Sequence, residues 1–107
     1  MDWPWPDRPA PVVRLAEEER AFGGIGQLYA WRRYPDGSWW GYVKWTRQLS
    51  AQERGHHPER LLEACEAWLP AERFDSVAAD YRRVPREVWD PQINGWQSVS
   101  PPRPGAP

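Results

Sequence analysis

The only side chains that offer a nucleophile with a base are Cys65 and the adjacent pair His56 and His57. A working thiolate needs a partly exposed, electropositive setting and a histidine within hydrogen-bond reach. The spacing instead puts Cys65 on the apolar stripe of an acidic segment, where it reads as a small buried hydrophobe. The histidines would bind a metal only with further ligands, and one cysteine with scattered carboxylates gives no recognisable spacing. Glu17, Glu18 and Glu19 have no histidine or phosphate loop beside them and read as a solvated acidic face. Gly23-Gly24-Ile25-Gly26 precedes a strand and lacks the lysine and hydroxyl of a nucleotide loop, so it reads as a linker. The expectation is no catalytic residue, no metal site and no cofactor.

Binding chemistry is concentrated elsewhere. Leu28 to Arg47 holds four of the nine tryptophans and three of the four tyrosines. Tyr34-Pro35-Asp36-Gly37-Ser38 is a three-residue hairpin loop: proline presets φ, aspartate suits the next position, and glycine takes the left-handed conformation. Pairing Tyr34 with Ser38 places Arg33 opposite Trp39, Arg32 opposite Trp40, Trp31 opposite Gly41, Ala30 opposite Tyr42 and Tyr29 opposite Val43, if no bulge intervenes. Alternation then gives a core face of Tyr29, Trp31, Arg33, Trp39, Gly41, Val43 and Trp45. The opposite face carries Ala30, Arg32, Tyr34, Trp40, Tyr42 and Lys44. Aromatic rings interleaved with cations suit stacking on planar groups, holding a cation over an indole, or receiving a proline-rich peptide. The partner-binding residues predicted from this face are Arg32, Tyr34, Trp40, Tyr42 and Lys44.

The elements that position them must come from a short chain. Its 107 residues make one domain whose modest core leans on large aromatic side chains. Residues 1–11 form a tryptophan- and proline-rich arm of extended geometry, 12–96 the globular domain, and 97–107 a proline-rich tail expected to be disordered. Trp3 and Trp5 are expected to fold back on the Trp40 and Tyr42 face, or onto that face of a second copy, so a homodimer is possible. Val12, Val13 and Leu15 suit a short strand or the start of a helical turn that ends at Gly23. Ser50-Ala51-Gln52-Glu53 has capping-box spacing, with Gly55 as a stop. Pro58, then Leu61, Leu62, Cys65, Trp68 and Leu69 at helical spacing, predict an amphipathic helix over 58–69; a competing reading makes Cys65 to Phe74 a strand. Phe74, Val77, Ala78 and Tyr81 suggest further helical turns, and Val84, Val88 and Trp89 a segment packed across the core.

The formal net charge is −1, which argues against a general nucleic-acid binder, but the charge is uneven. The hairpin sets Arg32, Arg33, Lys44 and Arg47 against Asp36, while 48–75 sets three arginines against six carboxylates. The two segments are placed to pair within the fold. Lys44 is the single lysine, alanine, proline and arginine are abundant, and this is what GC-rich codons give; a high-GC bacterial source is the expectation. One cysteine excludes an internal disulfide, no apolar run approaches membrane-spanning length, and the N-terminus lacks a signal pattern, so a soluble cytoplasmic protein is expected.

Asp36-Gly37-Ser38-Trp39-Trp40-Gly41-Tyr42-Val43 resembles the hairpin of small bent-sheet readers of the Tudor and PWWP kind, in which an acidic-Gly turn leads into paired aromatics and Gly-x-Val. The resemblance covers these eight residues. It implies that Trp39 and Trp40 stand at a barrel rim, in a cage for a methylated side chain, beside a basic patch that touches nucleic-acid backbone, and so adds Trp39 as the sixth predicted partner-binding residue. The fold expected from the residues themselves is α+β: an antiparallel sheet of about three strands built on the 28–47 hairpin, with the 58–69 helix packed on it. A mainly β, Tudor-like small barrel is the alternative. The expected function is a noncatalytic binding or adaptor module for a protein or proline-rich peptide. A single-stranded nucleic-acid binder is the second possibility, and an enzyme the third.

Overall fold

The structure, a computed structural model, describes residues 3–5, 7–76 and 84–99. Seven strands form one curled half-barrel sheet: β1 Val12–Leu15, β2 Ile25–Arg33, β3 Trp39–Gln48, β4 Leu62–Pro70, β5 Phe74–Ser76, β6 Arg86–Asp90 and β7 Gly95–Val99. The order along the main path is β4-β3-β2-β1-β5, all antiparallel. β6 joins β2 in parallel and carries β7 on its far side. β3 occupies one edge of β2 throughout, so β1 and β6 share the other. The handover is visible in two bonds: Leu28 N–H to the Pro11 carbonyl at 2.9 Å, then Trp31 N–H to the Pro85 carbonyl at 2.8 Å.

The fold is therefore mostly β, not the expected α+β three-strand arrangement. Besides three 3-10 turns, Glu17–Glu19, Phe22–Gly24 and Ala71–Arg73, the described residues hold a single short helix, α1 Ala51–Arg54. Its capping box is as expected: Ser50 and Glu53 exchange side-chain to backbone bonds of 3.2 and 3.0 Å, and Gly55 caps the end. The expected 58–69 helix is instead strand β4, paired with β3 over its full length from Trp40↔Pro70 to Gln48↔Leu62. Leu61, Leu62, Cys65, Trp68 and Leu69 fit a helical period, yet Cys65, Ala67 and Leu69 also alternate. The ten-residue edge of β3 decides between them, because it needs a partner for its backbone groups.

The hairpin register holds from Arg33↔Trp39 to Ala30↔Tyr42, and Gly37 at φ 89° closes the loop in the left-handed conformation. A bulge between Leu28 and Ala30 then breaks it: Leu28, not Tyr29, pairs with Val43. The extra residue sends Leu28 into the core and leaves Tyr29 on the outer face, beside Lys44. Arg33, expected inward, is exposed. The core is largely aliphatic, centred on Val13, Leu28, Val43 and Val84 with Leu15, Leu69 and Phe74. Every one of the nine tryptophans is only half-buried, contrary to the aromatic core expected.

Other segments differ in smaller ways. Val12–Leu15 is a strand, and Phe74–Ser76 is a strand where helical turns were expected; Val77, Ala78 and Tyr81 lie outside the described residues. β7 runs to Val99, past the expected start of the tail, and residues 100–107 lie outside the description. In the acidic triplet, Glu17 and Glu18 are exposed, but Glu19 is buried and paired with Arg73 at 2.6 Å. Trp3 docks at Tyr29 rather than on Trp40 or Tyr42 themselves: it packs against the core cluster and meets the Tyr29 ring edge-on at 5.9 Å, its indole N–H bonded to the Arg8 carbonyl at 2.6 Å.

Candidate functional site

Because β3 is flanked by β2 and β4, alternation on the three strands puts Arg32, Trp40, Tyr42, Lys44, Glu66 and Trp68 on one side of the sheet, facing away from the core. β6 and β7 extend this face. Glu87 pairs in register with Arg32, and the β6–β7 hairpin brings up Trp89 and Trp96.

Arg32 is the centre. Its guanidinium carbon lies 4.2 Å from the centroid of the Trp68 ring and 4.3 Å from that of Trp96, so the two indoles sandwich the cation. Its Nε and Nη2 both donate to Glu87 Oε2, at 2.9 and 2.8 Å. From this centre run two aromatic arms. Trp96 touches Tyr34 at 5.0 Å and Trp89 at 5.4 Å, and Tyr34 continues to Trp40 at 5.6 Å, all near edge-to-face. On the other side Trp68 meets Tyr42 at 5.2 Å. The Tyr42 hydroxyl donates to Glu66, which raises its pKa to about 12 and holds the Glu66 carboxyl below its ordinary range. Lys44 stands over the Tyr29 ring at 4.7 Å and 4.0 Å from Glu66.

Five of the six predicted residues, Arg32, Tyr34, Trp40, Tyr42 and Lys44, thus share one continuous surface. Trp39 does not. It turns to the opposite side, 6.1 Å from Trp31 at 86°, so Trp39 and Trp40 do not form a common rim. The sequence reading missed Trp68, Glu87, Trp89 and Trp96. Trp68 was absorbed into the supposed helix; Trp96 follows Asn94-Gly95, a hairpin dipeptide that announces the β6–β7 turn, where Asn94 has φ 50°.

The alternative chemistry lies apart from this surface. Cys65 is half-buried, and its Sγ contacts the Glu63 carbonyl at 3.7 Å. His57 is exposed beside Glu59 at 3.3 Å. Among the described residues no group of three or more His, Cys, Asp or Glu is placed to hold a metal, and no helix among them is long and apolar enough to cross a membrane.

The basic hairpin and the acidic segment do pair within the fold. Arg47 bridges Glu53 at 2.5 Å and Glu63 at 2.6 Å, and Arg20 adds a second cation on Glu53 at 2.9 Å. The Ser50 backbone N–H bond together with Arg47 brings the Glu53 pKa down to about 2. No protein family, curated protein or solved structure was found to match this chain.

Proposed function

We propose that the chain is a noncatalytic binding module whose outer sheet face, centred on Tyr34, Trp40, Tyr42, Trp68 and Trp96, receives a protein or a proline-rich peptide. One observation carries the reading: the rings form a continuous half-exposed ladder while the cations among them are matched by carboxylates, Arg32 by Glu87 and Lys44 by Glu66. A single-stranded nucleic-acid surface needs cations left over for phosphates, whereas a proline-rich segment needs aromatic grooves and little charge. Half-buried rings present apolar area at low cost in side-chain entropy. The single free cysteine fits a reducing compartment, and we assign the module to the cytoplasm.

Titrating the protein with a proline-rich peptide and with an oligothymidylate, at about 0.05 and about 0.5 M salt, tests this. Peptide binding that shifts the Trp40 and Trp96 indole N–H resonances and survives the higher salt is the expected result. Tight oligonucleotide binding that collapses with salt would replace this reading by the nucleic-acid one.

A further inference from the structure

The side of the sheet opposite the aromatic ladder opens into a second, independent site at the end of the half-barrel where the β2–β3 turn lies. Trp31 and Trp39 stand there nearly perpendicular, and with Ala71 and Arg86 they line an open cleft of about 370 Å³. That volume falls within the range that holds small molecules. Trp31 is braced from behind by Phe74, ring centroids 5.5 Å apart, so this wall is fixed by the core. Trp39 is flanked by Arg33, whose guanidinium carbon lies 5.9 Å from the ring centroid.

Charge distinguishes this cleft from the other face. Arg20, Arg32, Lys44, Arg47 and Arg73 each meet a carboxylate. Arg86 and Arg33 have no carboxylate partner among the described residues. Glu87, next to Arg86 in sequence, is turned to the opposite face and bound to Arg32. One guanidinium without a carboxylate partner among the described residues, Arg86, therefore lines a cleft with two indole walls, and a second, Arg33, stands beside the Trp39 wall. The geometry points to a binding site for a small anion with a flat apolar body, an aromatic carboxylate in class: the ring packs into the corner formed by the perpendicular Trp31 and Trp39 indoles and the carboxylate meets Arg86, with Arg33 adding to the field. An aromatic pair alone would suit a cation, but two arginines at its edge reverse that preference.

The test is a charge series on the full chain: 2-naphthoate, neutral 2-naphthol and the cationic 2-naphthylmethylammonium, followed by calorimetry and by the indole N–H resonances. The expected result is that naphthoate shifts Trp31 and Trp39 before Trp40, Trp89 or Trp96, and binds about tenfold more tightly than the ammonium probe. Arg86→Gln should remove most of that preference, and Arg33→Gln part of it, with naphthol affinity unchanged in both. Equal or tighter binding of the cation, shifts confined to the outer-face tryptophans, or no shift with any probe up to its solubility limit would overturn the inference. Arg33 is exposed, so its variant and the charge series on the parent protein decide the matter even if Arg86→Gln does not fold. The peptide reading is scored at Trp40 and Trp96, so either site can fail without the other.

Discussion

On the inner side of the β2–β3–β4 meander the residues shut off from solvent are aliphatic, Leu28 and Val43, with Val13 and Val84 brought up by neighbouring segments. On the outer side stand Tyr34, Trp40, Tyr42, Trp68 and Trp96, none of them fully covered. The difference comes from available depth. A Cβ on Gly41 would sit 2.5 Å from the Phe74 ring and 2.7 Å from a Leu28 methyl, so over Gly41 the concave side has no space for another methyl group. The outer side has no such lid, and rings that keep one edge wet cover it while a cation ties them together. The inner face supplies cohesion by close packing; the outer supplies surface.

Substitutions of matched intent on the two sides should separate the roles. The largest effect belongs inside: Leu28→Ala should cost about 2–5 kcal/mol through its cavity, and Gly41→Ala about 1–3 kcal/mol through overpacking, both read from urea unfolding. On the outer side Arg32→Ala removes two cation–ring contacts and leaves Glu87 without its partner. With the pair about a fifth exposed, at 21% and 22%, water compensates part of the loss, and about 1–2 kcal/mol is expected. An outer-face loss as large as that of Leu28→Ala would mean that Arg32 is core and would dissolve the contrast.

The smallest effect is a titration. Tyr42 ionises at about 12 because its hydroxyl bonds to Glu66. Since the folded value is raised above the ordinary 10, the contribution to stability is fully present below about pH 10 and is lost as the pH climbs through 12. Glu66→Gln should return one tyrosine toward pH 10 in ultraviolet absorbance with little change in melting temperature at neutral pH.

The sequence made the hairpin legible down to its residue pairing from Arg33–Trp39 to Ala30–Tyr42, because Pro35-Asp36-Gly37 states its turn chemistry locally. It stated the capping box of Ser50 and Glu53 for the same reason. What it concealed was decided by partners distant in sequence. Leu61 to Leu69 satisfies two periods at once, and only the waiting edge of β3 selects the strand. The bulge at Tyr29 leaves no composition mark, since a tyrosine is at home on either face. Five of the six site residues fell together because they alternate along one hairpin, while Trp39 was assigned through its likeness to a rim residue and lies across the sheet. Glu87, Trp89 and Trp96 were hidden by distance, although Asn94-Gly95 already marked the turn between the strands that carry them.

The division of β2's edge between β1 and β6 also imposes an order in time. The β2–β3 and β6–β7 hairpins close over short turns, and β4 reaches β3 after a modest loop. Arg32 and Glu87, by contrast, are 55 positions apart, and their strands are parallel, so that junction carries a far heavier loop-closure entropy than the hairpins. Two locally formed ribbons whose union comes late are the expected order of assembly. On that order the Arg32 guanidinium has Trp68 on one side and water on the other until the second ribbon arrives, and the ladder gains its Trp89 and Trp96 end only when the ribbons join.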